Sequence, residues 1–269
     1  MNVGRVWYSI RLLFVFVLTS GFGVNAAEVK RGGAFDPLNW RERYIFQSAV
    51  ESNLQFVNDP TKPGRLFAEL HLYADAPASF GGVRSEITPK DEYVQSGTRW
   101  YAMSFKVPKD WVFADVPIVM TQLHTSQRTA KLSPPVAVVL RDHGLALEMR
   151  TSPAQLSRGE VVQNDNTAYR RVYLGEPRLG EWTCFVFQMD WSFEAGKGSS
   201  TIWMNNAIVY EAKNAPNAYD TWLGNYPKVG MYAPWKLGAP ERSVLVDAIW
   251  LGDATASYSS MYKKTPCGS

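Results

Sequence analysis

The 269-residue chain is poor in cysteine, in histidine and in net charge. Two cysteines and three histidines are present, and 28 Lys and Arg stand against 25 Asp and Glu. So even a balance argues against a general nucleic-acid binder, which carries a basic stripe, although a local basic cleft remains compatible with it. Three scattered histidines without clustered carboxylates argue against a transition-metal site, and no EF-hand-like loop is present. Serine hydrolysis and nucleotide use are disfavoured, because there is neither a Gly-x-Ser-x-Gly elbow nor a glycine-rich phosphate loop. Helical periodicity is scarce: only Asn217–Leu223 and Ser257–Lys263 read as short helices. With 46% hydrophobic and 20% charged residues the composition is ordinary for a globular protein, which excludes disordered, collagen-like and coiled-coil chains.

Residues 1–26 stand apart. Arg5 and Arg11 precede an apolar run from Leu12 to Leu18, and Val24-Asn25-Ala26 forms a small-residue cleavage pattern. The run is too short to span a bilayer comfortably and reads as a secretory signal. No later segment is long and apolar enough to cross a membrane. The mature domain is therefore expected to span 27–269 and to be secreted or periplasmic, as a monomer. In such an oxidising compartment Cys184 and Cys267 could pair. Their spacing leaves open whether they do, or whether Cys184 stays a buried free thiol.

The rest of the chain reads as strands, in apolar or alternating runs rich in β-branched and aromatic residues. They are Leu66–Tyr73, Arg99–Val107, Ile118–His124, Val136–Arg141, Leu145–Arg150, Trp182–Trp191, Thr201–Met204, Ile208–Glu211 and Val244–Leu251. Asn205-Asn206 suits a two-residue hairpin turn. Further turns are expected at Glu194–Ser199 and at Asp142-His143-Gly144. The pattern predicts one all-β domain, a jelly roll of two packed antiparallel sheets.

Three segments break the apolar rhythm in the same way: Val83-Arg84-Ser85-Glu86-Ile87, Met120-Thr121-Gln122-Leu123-His124, and Tyr226-Pro227-Lys228-Val229-Gly230-Met231-Tyr232. Residues two apart share a strand face. Arg84 with Glu86, Gln122 with His124, and Lys228 with Gly230 and Tyr232 therefore point away from an apolar core. Taken singly, each has a bland explanation: Arg84 and Glu86 as a surface ion pair worth under ~1 kcal/mol, His124 as a solvated strand histidine, Tyr232 as an amphipathic strand aromatic. Taken together on one sheet, they make a cleft floor for a polar, anionic polymer, with Gly230 letting another chain approach the backbone.

These three motifs resemble the signature of jelly-roll polysaccharide lyases. Alginate lyases of polysaccharide lyase family 7 show a similar Arg-x-Glu-Leu, Gln-Ile-His and Tyr-Phe-Lys-Ala-Gly-x-Tyr series. The flanking text is similar to the heparin lyase I and glucuronan lyase group, at 99–111, 182–192 and 202–206. The resemblance spans roughly residues 45–252. It implies β-elimination at a uronic acid, an anionic polysaccharide as partner, no required cofactor and a structural Ca²⁺ in part of the group. For the matching positions it implies that Arg84 and Gln122 neutralise the C6 carboxylate, His124 removes the C5 proton, and Tyr232 protonates O4 or serves as base as well. Glu86 would orient Arg84, and Lys228 would hold a neighbouring carboxylate or sulfate. The motif departs from the alginate lyases at Pro227 and after Tyr232, where Ala-Pro follows. Trp235 and Lys236, close by, are candidates for a stacking face and a carboxylate contact. His71 is a weaker candidate for the same cleft, and His143 a turn residue.

Two rivals follow from the same residues. A glycoside hydrolase would need two carboxylates about 5–9.5 Å apart, and no Glu-x-Asp-x-x-Glu-like strand exists here. A non-catalytic carbohydrate-binding module could use ten Trp and thirteen Tyr as stacking platforms, but it has no reason to align His124 and Tyr232 with Arg84 and Gln122.

Overall fold

Period-two burial organises the chain. In β17 (Arg242–Val246) Val244 and Val246 are buried while Ser243 and Leu245 between them are only partly so, as expected for a strand with one face on a core. The computed structural model describes residues 32–269, apart from 74, 80, 114, 127–130, 156–160, 163–166, 222 and 234–240. The expected signal at 1–26 lies outside the described residues, as do Trp235 and Lys236.

Two large antiparallel sheets make up the fold. The first runs in the order β1 (Tyr44–Ser48), β4 (Val83–Pro89), β16 (Asn225–Ala233), β6 (Ile118–Thr125), β8 (Val136–Arg141), β9 (Gly144–Gln155) and β11 (Ala168–Gly175). A short β15 (Tyr219–Asp220) pairs with β9. The second sheet runs β14 (Ala207–Lys213), β13 (Ser199–Met204), β12 (Trp182–Trp191), β5 (Gly97–Lys106), β17, β3 (Leu66–Leu72) and β2 (Leu54–Asn58), with β18 (Trp250–Gly252) also on β5. A minor pair joins β7 (Lys131–Leu132) to β10 (Val161–Val162). The helices α1 (Trp40–Arg43) and α2 (Tyr258–Tyr262) are each about one turn long. Among the described residues no helix is long and apolar enough to cross a membrane.

The sheets are joined face to face by one continuous core. Ile87, Leu123, Val229 and Met231 come from the first sheet, and Leu70, Met103, Phe105, Phe185, Phe187 and Val246 from the second. Each such side chain, once removed from water, stabilises the sandwich by about 1.5–3 kcal/mol. This is the expected jelly roll.

Two local readings change. Asn217–Leu223 is not a helix: the Asn217 amide donates to the carbonyls of Asp190 and Ser199, and its oxygen accepts from the Ser192 backbone. Plugging the end of a β-hairpin in this way holds the chain extended, so the following residues pair as β15. The expected strand Val244–Leu251 is broken into β17 and β18, because buried Asp247 turns to meet Arg65 at 2.9 Å. The hairpin at Asn205-Asn206 has positive φ at both residues, 47° and 73°, and α2 is capped by Ser257. The open question of the cysteines is resolved: Cys184 on β12 and Cys267 in the tail form a disulfide, Cα to Cα 6.2 Å. It pins α2 onto the outer face of the second sheet, where Met261 packs with Trp100, Ala102 and Val186.

Candidate active site

The three motif segments lie side by side, with β16 between β4 and β6. Across these ladders Tyr232 faces Arg84, Gly230 faces Glu86, Lys228 faces Gln122 and Tyr226 faces His124. Val83, Ser85, Ile87, Thr121, Leu123, Val229 and Met231 alternate with them and are buried in the sandwich. Ser85 and Thr121 fit there because their hydroxyls are satisfied by the Asn53 and Lys228 carbonyls. Everything polar therefore collects on the outer face of the first sheet.

That face is not an open surface. Arg84 is 7% exposed, Glu86 1%, Gln122 3% and Lys228 3%, so the bland reading of a solvated Arg84–Glu86 pair fails. Buried charges must be paired and hydrogen-bonded, and here they form one chain of contacts. Glu86 accepts from Arg84 Nη1 at 3.3 Å and from Gln122 Nε2. A carboxylate only accepts, which fixes the Gln122 amide nitrogen toward it. Arg84 Nε donates to the Ser79 carbonyl at 3.0 Å. Gln47, on the edge strand β1, accepts from Arg84 at 3.2 Å and from Lys228 Nζ at 2.9 Å. Two cations against one carboxylate leave the group with a positive surplus, able to take an anionic guest.

Tyr232 and His124 flank this group and are half-buried. The Arg84 Cζ stands 4.4 Å from the centroid of the Tyr232 ring, a contact of roughly 0.5–2 kcal/mol. Burial pushes the Tyr232 phenol up, opposed in part by Arg84. The His124 Nδ1 meets the Thr125 carbonyl. A carbonyl only accepts, so Nδ1 carries the proton and Nε2 keeps its lone pair. Burial first, and then Lys228, push the His124 imidazole down to about 3; the Thr125 bond opposes them and Arg84 adds to them. The ring is thus neutral in the unliganded protein at ordinary pH. Burial also lowers Lys228 and raises the Tyr226 phenol. The Tyr226 ring packs 5.5 Å from His124 and 5.2 Å from Tyr93.

Gly230 serves a different purpose from the one its sequence position suggested. Its φ is +142°, and a Cβ there would stand 2.3 Å from the Ser85 carbonyl oxygen and 2.9 Å from Leu70. The close approach is to β4 and the core, not to a ligand. Beside it the β16–β6 register shifts between Val229 and Tyr232, a bulge of the kind that re-aims a side chain. Gly82 does a related service: a Cβ there would meet the Tyr232 ring at 2.5 Å. His71 belongs to β3 in the other sheet and bonds Glu241 at 3.2 Å, so it does not face this group. His143 packs on Phe113.

Two members of this group, Gln47 and Tyr226, are not singled out by the sequence reading. Tyr226 shares the two-residue spacing that singled out Lys228, so the motif itself could have revealed it. Gln47 lies in Tyr44-Ile-Phe-Gln-Ser48, a short edge strand with no local sign of its distant partners.

A structural Ca²⁺ needs six to eight oxygen ligands. Among the described residues no three His, Cys, Asp or Glu side chains converge to hold a metal. The buried carboxylates of Asp59 and Asp247 are instead bridged by Arg65, at 4.0 and 2.9 Å. Backbone and amide carbonyls also serve as Ca²⁺ ligands, and no step below runs through the ion.

A family model described as polysaccharide lyase matches residues 33–250. No curated protein matches the chain. Among solved structures, the chain is similar to an endo-β-1,4-glucuronan lyase from the fungus Trichoderma reesei, with TM-score 0.62 and 18% identity over 79% of this chain and 95% of that one. It is also similar to a family 7 alginate lyase variant in complex with substrate, with TM-score 0.53 and 12% identity over 80% and 94%. At such identities the solved structures speak for the fold alone. The family rests on the model match, which covers most of the chain: this protein belongs to the polysaccharide lyases, with a jelly-roll fold.

Proposed function

We propose that the chain cleaves a uronic-acid-containing polysaccharide by β-elimination, with Arg84, Gln122, His124 and Tyr232 as its catalytic residues. One observation carries this reading: a buried, positively charged group built on Arg84, Gln122 and Lys228 is flanked on the same sheet face by the His124 imidazole and the Tyr232 phenol.

In this reaction the C5–H bond breaks and its electron pair forms the C4–C5 double bond. The C4–O4 bond breaks, and O4 takes a proton. Arg84 and the second N–H of Gln122 meet the C6 carboxylate, where charge grows as C5 is deprotonated. Glu86 holds both donors in place. His124 Nε2 accepts the C5 proton; the incoming carboxylate offsets the cations that depress its basicity, so binding itself makes the base stronger. Tyr232 donates its phenolic proton to O4, and serves as base too where proton and leaving group lie on the same side of the ring. Lys228, and Trp235 and Lys236 beyond it, would bind neighbouring sugar units.

Export is the second part of the proposal. It is supported by the composition of residues 1–26 and by the Cys184–Cys267 bridge, since structural disulfides persist in oxidising compartments. There the enzyme would act as a monomer on an anionic polymer.

The test is a panel of glucuronan, alginate and heparin, read by the ultraviolet absorbance of the unsaturated uronate that each elimination creates. Product from at least one polymer is expected. Tight polymer binding without product from any would favour the non-catalytic carbohydrate-binding reading.

A further inference from the structure

The same outer face carries a second polar group that none of the motifs covers. One row of paired residues runs straight across the strands from the site: Lys228, Gln122, Ala137, Glu148, Arg171. After Ala137, with Val139 beside it on β8, the floor is low and apolar. Polarity returns on β9 and β11. Arg150, 8% exposed, bonds Glu148 at 2.6 Å and lies 4.8 Å over the ring of Tyr169. Burial first, and then Glu148, push the Tyr169 phenol up, while Arg150 and Arg171 oppose them. Two residues further, Tyr173 is 68% exposed. Its ring lies where a Cβ on Gly144 would stand, 2.4 Å from Cε2, so one face is seated on backbone and the other is presented outward.

We propose that the β11 row Tyr169, Arg171 and Tyr173, backed by Arg150 and Glu148, is a distal subsite for a uronate unit of the polymer; this rests on the lyase reading above. Glu148 neutralises Arg150, which leaves Arg171 as the charge offered to a sugar carboxylate, with Tyr173 as the stacking face. Neighbouring strands are about 4.8 Å apart, so Arg171 stands three strand spacings, roughly 14 Å, from Gln122. A chain lying across the strands would reach it several sugar units from the bond that breaks. The low floor at Ala137 and Val139 lets the chain pass between the two groups.

The experiment compares Arg171→Ala and Tyr173→Ala with wild type on whichever of glucuronan, alginate and heparin wild type cleaves best, and on the shortest oligomer of it that is still cleaved. Both side chains are exposed, so folding should survive. The expected result is a roughly tenfold higher KM for the polymer, unchanged kcat, unchanged constants for the short oligomer and a shifted pattern of product lengths. Arg171→Lys should recover part of the loss. An unaltered polymer KM and product pattern would overturn the subsite, and so would equal losses on polymer and short oligomer. Should wild type yield no product, the lyase reading falls, and affinity for the same polymers decides the subsite alone: weaker binding by Arg171→Ala supports it, equal binding overturns it.

Discussion

Arg84 and Tyr232 face each other across the β4–β16 ladder, with the guanidinium lying over the phenol ring at 4.4 Å. One cation thereby links two parts of the site: it is held by Glu86 and Gln47 on one side and bears on the phenol on the other. Replacing Arg84 by Ala removes a preorganised donor from a buried site. Steady-state kinetics should show kcat lowered about 10²–10³-fold, the usual loss for such a donor, and Gln122→Ala should behave alike. A raised KM with unchanged kcat would reduce both to ordinary binding residues.

The acid limb of kcat/KM reports groups in the free enzyme. With His124 pushed down to about 3, that limb should lie well below the ordinary histidine value near 6.5. In kcat it should sit higher, because bound carboxylate offsets Lys228 and Arg84. Stability has the same sign: the unfolded chain takes up the His124 proton below about 6.5 while the folded one refuses it until about 3, so this group destabilises the fold progressively as pH falls through that window. Thermal melts of His124→Gln against wild type should diverge there, the variant losing less. Parallel curves would show that His124 titrates normally.

Gly230→Ala forces a methyl group to within 2.3 Å of the Ser85 carbonyl at a φ of +142°. Strain and overpacking together should cost about 2–5 kcal/mol, read as a lower denaturation midpoint. A variant as stable as wild type would show that the bulge in β16 can relax.

The Cys184–Cys267 bridge closes a segment of sequence separation 83 on the sheet remote from the site. Cys267→Ser should lower stability by roughly 2–5 kcal/mol while leaving kcat and KM unchanged below the melting range. Loss of activity at full folding would tie the tail to the site.

Sequence made the site strands legible because each carries the complete two-residue alternation: apolar neighbours at Val83 and Ile87, Leu123, Val229 and Met231 expose Arg84, Gln122 and Lys228 by contrast. It could not show Gln47, whose partners Arg84 and Lys228 lie 37 and 181 residues away. Nor did it show β11, where Ala168-Tyr-Arg-Arg-Val172 is polar on both faces of an edge strand. Gly230 was visible as an anomaly, but the direction of the close approach depends on a positive φ. Asn217 reads as the start of a helix because the four partners of its side-chain amide, Asp190, Ser192, Ser199 and Ser200, are contributed by a hairpin 17 to 27 residues earlier.

The most direct measurement is product formation by Tyr232→Phe, which keeps the ring beneath Arg84 and removes only the hydroxyl. With the fold intact by circular dichroism and polymer binding retained, the ultraviolet signal of the unsaturated uronate should vanish. Wild-type rates of that product from the variant would contradict the assignment of the leaving-group proton to Tyr232.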